Sequence, residues 1–301
     1  MCQEEEIKIV PQWQDTEERK YMNKDVIYNE QSDNKSFNNK RLEDDKILKI
    51  EKGFIPFITC GDPNLDVTEE LIYALAEENV SLIELGIPFS DPTAEGPVIQ
   101  MASQRALLAG VTTDKIFDMV ERVRKNTDIP LVFMTYANVV YSYGTEKFLQ
   151  KASNLGIYGI ILPDVPFEEK EEFSPMCNKY GIKFISLIAP TSEQRIETIA
   201  SQSEGFIYCV SSMGVTGVRN AFAANIKEVV KKIKGCTDIP VAVGFGVSRP
   251  EHVAAIHEYA DAAIVGSAIV SICGEYKEKC VPKVIEYVRE MTLGHDTKIG
   301  A

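Results

Sequence analysis

The stretch Ser81-Leu82-Ile83-Glu84-Leu85-Gly86-Ile87-Pro88-Phe89-Ser90-Asp91-Pro92-Thr93-Ala94-Glu95-Gly96-Pro97 starts as a buried strand and ends as a loop. Leu82, Ile83 and Leu85 surround a single carboxylate, Glu84, and Pro88, Pro92, Gly96 and Pro97 then interrupt the strand. The loop brings two more carboxylates, Asp91 and Glu95. An ionisable group inside an apolar strand is costly unless it is paired or employed. Two readings of Glu84 are open here: a core carboxylate paired with an Arg or Lys, or a functional group tuned by burial.

From Gly53 onward, apolar β-rich runs alternate with segments of helical period. The runs fall at 54–59, 82–85, 131–135, 159–162, 184–188, 206–210, 241–243 and 262–265, and read as parallel strands buried on both faces. Helices are predicted at 68–79, 97–108, 113–126, 145–155, 168–180, 192–201, 223–233 and 250–259, with a final helical segment over 270–291 broken near Pro282. Two of them lie between strands two and three, so one is extra. Asp66, Thr113, Ser192 and the Ser248-Arg249-Pro250 turn mark helix starts. Eight βα units predict an α/β fold of the (β/α)8 TIM-barrel type rather than an open doubly wound sheet. No GxGxxG fingerprint follows the first strand, where a dinucleotide-binding sheet carries it. Residues 1–46 read as a polar N-terminal extension, disordered or loosely docked, that holds the single Trp, Trp13. A short helix over 42–52 leads into a catalytic barrel spanning 47–292, and 293–301 form a C-terminal tail.

The formal net charge of -13 argues against a nucleic-acid or anionic-membrane partner, which needs basic surface. A phosphate-bearing ligand must therefore be held locally, by backbone N–H groups and helix N-termini. Seven cysteines without a CxxC pair resemble neither a disulfide framework nor a zinc site; Cys60 and Cys209 read as core, and Cys273 and Cys280 fall in the late helical segment. No basic n-region opens the chain, and no apolar run is long enough to span a bilayer, so a reducing cytoplasm is the expected setting.

In a barrel of this kind, chemistry sits at the C-terminal ends of the strands. Those ends carry Cys60-Gly61-Asp62-Pro63, Glu84 with its loop, Tyr136-Ala137-Asn138, Pro163-Asp164-Val165-Pro166, Ala189-Pro190-Thr191, the run from Ser211 to Gly217, Gly244-Phe245-Gly246 and Gly266-Ser267. His252, His257 and His295 fall in the seventh outer helix and the tail; the first two are five residues apart, roughly 140° around a helix, and share no face for a metal. Lys183 sits at the start of strand five, the wrong end for a Schiff-base aldolase. Gly244, Gly246, Gly266 and Ser267 either shape tight turns or cup a phosphate. The expected chemistry is acid–base work on a phosphorylated small molecule, using Glu84 with Asp91 or Glu95.

Seven motifs stand in register with one family: Pro56-Phe57-Ile58-Thr59-Cys60-Gly61-Asp62-Pro63, the run from Glu84 to Pro92, Tyr136-Ala137-Asn138, Pro163-Asp164-Val165-Pro166, Gly214-Val215-Thr216-Gly217, Gly244-Phe245-Gly246 and Gly266-Ser267. The barrel resembles the α subunit of tryptophan synthase from about Gly53 to Met291. The resemblance implies retro-aldol cleavage of indole-3-glycerol phosphate to indole and glyceraldehyde 3-phosphate, a lyase reaction of tryptophan biosynthesis that needs no metal and no cofactor in this chain. It implies Glu84 and Glu95 as the catalytic pair. The family has Asp where Glu95 stands, and an extra methylene moves the carboxylate by roughly 1 Å. It further implies that Phe57, Tyr136, Asp164, Tyr208, Thr216 and Phe245 line the indole and glycerol portions. Gly217, Gly246, Gly266 and Ser267 are implied to hold the phosphate, and the loop from Ser211 to Asn220 to close over substrate. The implied partner is a pyridoxal-phosphate β subunit in an α2β2 assembly, docking on Asp91, Pro92, Tyr136, Ala137, Asn138 and Val139. A stand-alone lyase, and a weakly catalytic barrel that mainly activates the β subunit, are the alternatives.

Overall fold

The computed structural model describes residues 50–190, 195–210, 219–244 and 246–293, all within one compact unit, Asp45–Ala301. The extension over 1–46, most of the lead-in helix and the tail beyond 293 lie outside them; Ile50, Glu51 and Lys52, the described end of that helix, are not helical. In chain order the elements are β1 (Gly53–Thr59), α1 (Leu65–Ala76), β2 (Ile83–Gly86), α2 (Pro97–Leu108), α3 (Thr113–Val123), β3 (Leu131–Met134), α4 (Ala137–Tyr143), α5 (Thr145–Asn154) and β4 (Gly159–Ile161). A 3-10 turn (Phe167–Glu172) follows, then α6 (Ser174–Lys179), β5 (Lys183–Phe184), β6 (Ser186–Ile188), α7 (Ile196–Ser201), β7 (Ile207–Val210), α8 (Arg219–Lys234), β8 (Val241–Gly244), α9 (Pro250–Ile256), β9 (Ala262–Val265), α10 (Ser267–Tyr276) and α11 (Cys280–Leu293).

The strands pair in parallel in the order β5-β4-β3-β2-β1-β9-β8-β7-β6. The terminal strands, β5 and β6, are two pieces of one stave interrupted at Ile185, so the sheet is closed by the chain itself. β5 pairs with β4 (Lys183 against Gly159) and β6 with β7 (Ser186 against Ile207), and the Ile185 N–H still donates to the Ile160 carbonyl at 2.9 Å. Tilted staves engage their two neighbours over different stretches, which is why one predicted strand reads as two here. The predicted barrel, with α2 as the extra helix after β2, is the observed fold.

Side chains alternate across each strand. Ile55, Leu82, Val132, Ile161, Ile185, Phe206, Ala242 and Ile264 fill the inside of the barrel. The opposite rows, such as Phe54, Ile58, Ile83, Leu85 and Phe133, meet the helices in the larger outer core. Above the inner plug, Phe57 packs with Ala102 of α2, Val270 of α10 and Met134. These helices therefore roof the mouth beside β1.

Several element ends differ from the sequence reading for local reasons. The cap of α1 is Asn64, whose side chain accepts from the Val67 N–H at 2.9 Å, and that of α3 is Thr112; both precede the predicted Asp66 and Thr113. α4 has no counterpart among the predicted helices, because seven residues with one buried side chain, Val140, carry no usable period. The last helical segment breaks at Lys277–Lys279, where Lys277 has φ +50, and not at Pro282. Pro282 lies in the first turn of α11, where a missing N–H costs no hydrogen bond. Cys273 and Cys280 consequently sit on different helices. α2 is tied to the end of β1 by a bidentate pair: Arg105 donates from Nε and Nη2 to the buried Asp62 carboxylate at 2.8 and 2.7 Å.

Candidate active site

Glu84 occupies the inward position after Leu82 on β2, level with Phe57 of β1 and Val132 of β3. Its residue is 1% exposed, and its Oε1 has no hydrogen-bond partner. The paired-core reading fails on that atom: no described Arg or Lys salt-bridges this carboxylate. Burial, reinforced by the negative charge of Glu95, pushes its pKa up to about 8. Tyr208 projects inward from β7; burial and then the charge of Glu84 raise its phenol well above the ordinary range, so it stays a neutral donor.

Glu95 is half-buried on the loop before α2. Tyr136, the residue preceding α4, donates its hydroxyl to Glu95 Oε2 and accepts from the Ala94 N–H at 2.8 Å. Burial raises the pKa of Glu95, the Tyr136 hydrogen bond opposes that, and the charge of Asp164 adds to it. The Ala137 N–H at the head of α4 faces both oxygens of Asp164, at 3.1 and 3.2 Å. Phe89 packs against the Tyr136 ring with centroids 5.1 Å apart. Glu84, Glu95, Tyr136, Asp164 and Tyr208 thus form one electrostatically connected group.

On the other side of β1 lie the turns of β8 and β9, which are neighbours in the sheet. Gly246 is exposed and holds φ +69, a conformation that favours glycine. Gly266 precedes α10 and Ser267, exposed, begins it, so the first turn of that helix, whose N–H groups have no partner within the helix, follows directly on the C-terminal end of β9. Thr216, Gly217 and Phe245, with the run 211–218, lie outside the described residues.

Gly244 is a close approach. A Cβ there would stand 2.6 Å from the Tyr208 hydroxyl and 2.9 Å from its ring. Gly244→Ala is expected to displace Tyr208 from the mouth and lower kcat/KM for the cleavage that the resemblance implies about 10- to 100-fold while the barrel stays folded, as circular dichroism and steady-state kinetics would show.

Asp91 and Asn138 are exposed and Pro92, Ala137 and Val139 partly so, whereas Tyr136 is 3% exposed and belongs to the interior of the site. A cleft of about 390 Å³ opens beside the mouth and not over Glu84; Pro88, Phe89, Val111, Asn138 and Val139 are among its walls. The histidines are structural where described: His252 Nδ1 meets the Ser248 N–H at 3.3 Å, and His257 Nε2 meets the Gly53 carbonyl at 3.0 Å, at the start of β1. Burial pushes the Cys60 and Cys209 thiols up to about 12, as inert core residues. Thr59, the last residue of β1, also faces the mouth. Alternation from Ile55 and Phe57 marks it as inward-facing, a signal that a threonine inside an apolar strand does not carry by itself.

A closed (β/α)8 barrel with a buried carboxyl of raised pKa at its C-terminal mouth and glycine-rich turns on the far side has the features of an acid–base barrel enzyme. The model of the family described as tryptophan synthase alpha chain matches residues 45–295. A tryptophan synthase alpha chain from Lacticaseibacillus casei is 44% identical over 252 residues, 84% of this chain and 95% of that one. One from Alkaliphilus metalliredigens is 47% identical over 220 residues, covering 73% and 83%. Among solved structures, a chain of the tryptophan synthase a2b2 complex of Pyrococcus furiosus superposes with TM-score 0.76 at 37% identity, over 81% of this chain and 99% of that chain. The alpha subunit from Campylobacter jejuni gives 0.74 at 34% identity, over 81% and 98%. The chain belongs to the tryptophan synthase alpha chain family.

Proposed function

We propose that Glu84 and Glu95 perform in this chain the reaction of its family, cleavage of indole-3-glycerol phosphate to indole and glyceraldehyde 3-phosphate. The observation that carries the assignment is the state of Glu84: buried at the mouth, without a partner on Oε1, and raised to about 8. Such a group holds a proton near neutrality and can deliver it to indole C3, which turns the bond to the glycerol chain into a breakable one. The carboxylate so formed takes the proton of the glycerol hydroxyl as the C–C bond opens and an aldehyde forms. Glu95, oriented by Tyr136, faces the ring nitrogen and stabilises its positive charge in the intermediate. The N-terminal turn of α10, with Gly246 alongside, holds the phosphate.

The rim formed by Asp91, Pro92, Ala137, Asn138 and Val139, with its adjoining cleft, supports docking of a β subunit that takes up the indole and carries the pyridoxal phosphate. A barrel domain over 47–292 is the catalytic unit, working in the cytoplasm; among the described residues no helix is long and apolar enough to cross a membrane. Indole release from indole-3-glycerol phosphate, measured with and without the β subunit, tests the reading. Turnover that rises on adding the β subunit is the expected result. Equal turnover alone would make the chain a stand-alone lyase, and none in either case would overturn the assignment.

A further inference from the structure

We propose that Thr59 is a substrate-binding residue whose hydroxyl takes a hydroxyl of the glycerol chain. Thr59 ends β1 and is 3% exposed, and its Oγ1 is buried without a hydrogen-bond partner. A buried hydroxyl left unpaired is unfavourable, and few persist in native structures without a reason. The hydroxyl lies on the inward row of β1: Ile55 is in the inner plug, Phe57 is in the mouth cluster, and Phe54 and Ile58 face the helices. Thr59 is paired with Gly86, one inward step beyond the level at which Phe57 meets Glu84.

The strand order supplies the ligand. β1 stands between β2, which holds Glu84, and β9, which leads into the first turn of α10. Pro56 is level with Val265, which brings Phe57 level with Gly266, and a Cβ on Gly266 would lie 3.5 Å from the Phe57 Cβ. A substrate with its reacting carbon at Glu84 and its phosphate at Ser267 must lay the intervening glycerol chain across the end of β1. That chain carries hydroxyls, and the orphan Oγ1 of Thr59 is the group of β1 placed to meet one.

This inference rests on the reading of Glu84 and Ser267 as the two ends of the site, and its test is separable from that reading. Thr59→Val keeps the shape and removes the hydroxyl; Thr59→Ser keeps the hydroxyl. Affinity for indole-3-glycerol phosphate is measured by calorimetric titration in a Glu84→Gln background, which keeps the substrate intact. Affinity for an indole-3-propyl phosphate without glycerol hydroxyls is measured beside it, with thermal unfolding of each variant. Thr59→Val is expected to weaken the glycerol-bearing ligand about 10-fold, to leave the propyl analogue within 2-fold, and to leave the melting temperature unchanged or raised. Thr59→Ser is expected to restore binding. Equal losses for both ligands, or no loss for either, would overturn the role of Thr59. Failure of the wild type to release indole bears on the function and leaves this comparison standing.

Discussion

Glu84→Gln is expected to lower indole release by about 1,000-fold with little change in KM, because it removes the one described carboxyl positioned to give and retrieve the proton. The same variant reads out the electrostatics. In the folded chain Glu84 titrates at about 8, against an ordinary value of 4.5. Between those values the native state keeps a proton that the unfolded state has lost, so the wild type loses stability as pH rises through that window. Below pH 4.5 both states hold the proton, and above pH 8 neither does. Relative to Glu84→Gln, whose amide does not titrate, the wild type should therefore lose about 5 kcal/mol of stability from pH 4.5 to pH 8 and nothing further. Denaturant unfolding of both proteins across this range checks the sign. A flat difference would show that Glu84 is not buried in the way the structure describes. The catalytic rate should fall on the alkaline side near pH 8, where the proton needed at indole C3 is lost.

Glu95→Gln should cost about 100-fold in kcat, since it removes the negative charge proposed to face the ring nitrogen while keeping length and shape. Glu95→Asp should cost no more than about 10-fold. Glu95 sits on a loop that can shift, and the charge contributes more to the transition state than the length of the side chain. The order wild type, Asp, Gln is the expected outcome in a cleavage assay of the β-subunit complex. Full activity in Glu95→Gln would exclude the residue from the chemistry, whereas wild-type turnover in the complex no higher than that of the β subunit alone would favour a barrel that mainly activates its partner. The hydrogen bond from Tyr136 bears on the same point. It favours the ionised form of Glu95 and so partly offsets burial, the larger effect, and the nearby charge of Asp164, which raise its pKa.

The barrel was legible in the residues because its two periods are local: 2 along each buried strand and 3.6 along each helix. Eight apolar runs followed by helical segments leave few alternatives to closure. Glu84 was equally legible, as a carboxylate where alternation demands an apolar side chain. What failed to show was set by contacts between distant residues. The split stave at Ile185 depends on how far β4 and β7 reach along it. α4 is too short for a period, and the cap of α1 needed the actual path of Asn64. Thr59 was hidden because an unpaired hydroxyl is a property of its surroundings, not of the residue.

From the order of its residues alone, the chain is committed to a (β/α)8 barrel whose strand ends carry Glu84, Tyr136, Asp164, Gly246 and Gly266. Hydrophobic period and turn chemistry act over a few residues and need no partner to be read. Tertiary structure decided the chemistry of those groups. Burial and the charge of Glu95 set the proton affinity of Glu84. The fold brings Tyr136 onto Glu95 across 41 positions of sequence, and places Thr59 at the end of β1, between β2 with Glu84 and β9 with the first turn of α10. A pKa and an unsatisfied hydrogen bond depend on the low-dielectric space around a group, and that space exists only once the staves have closed.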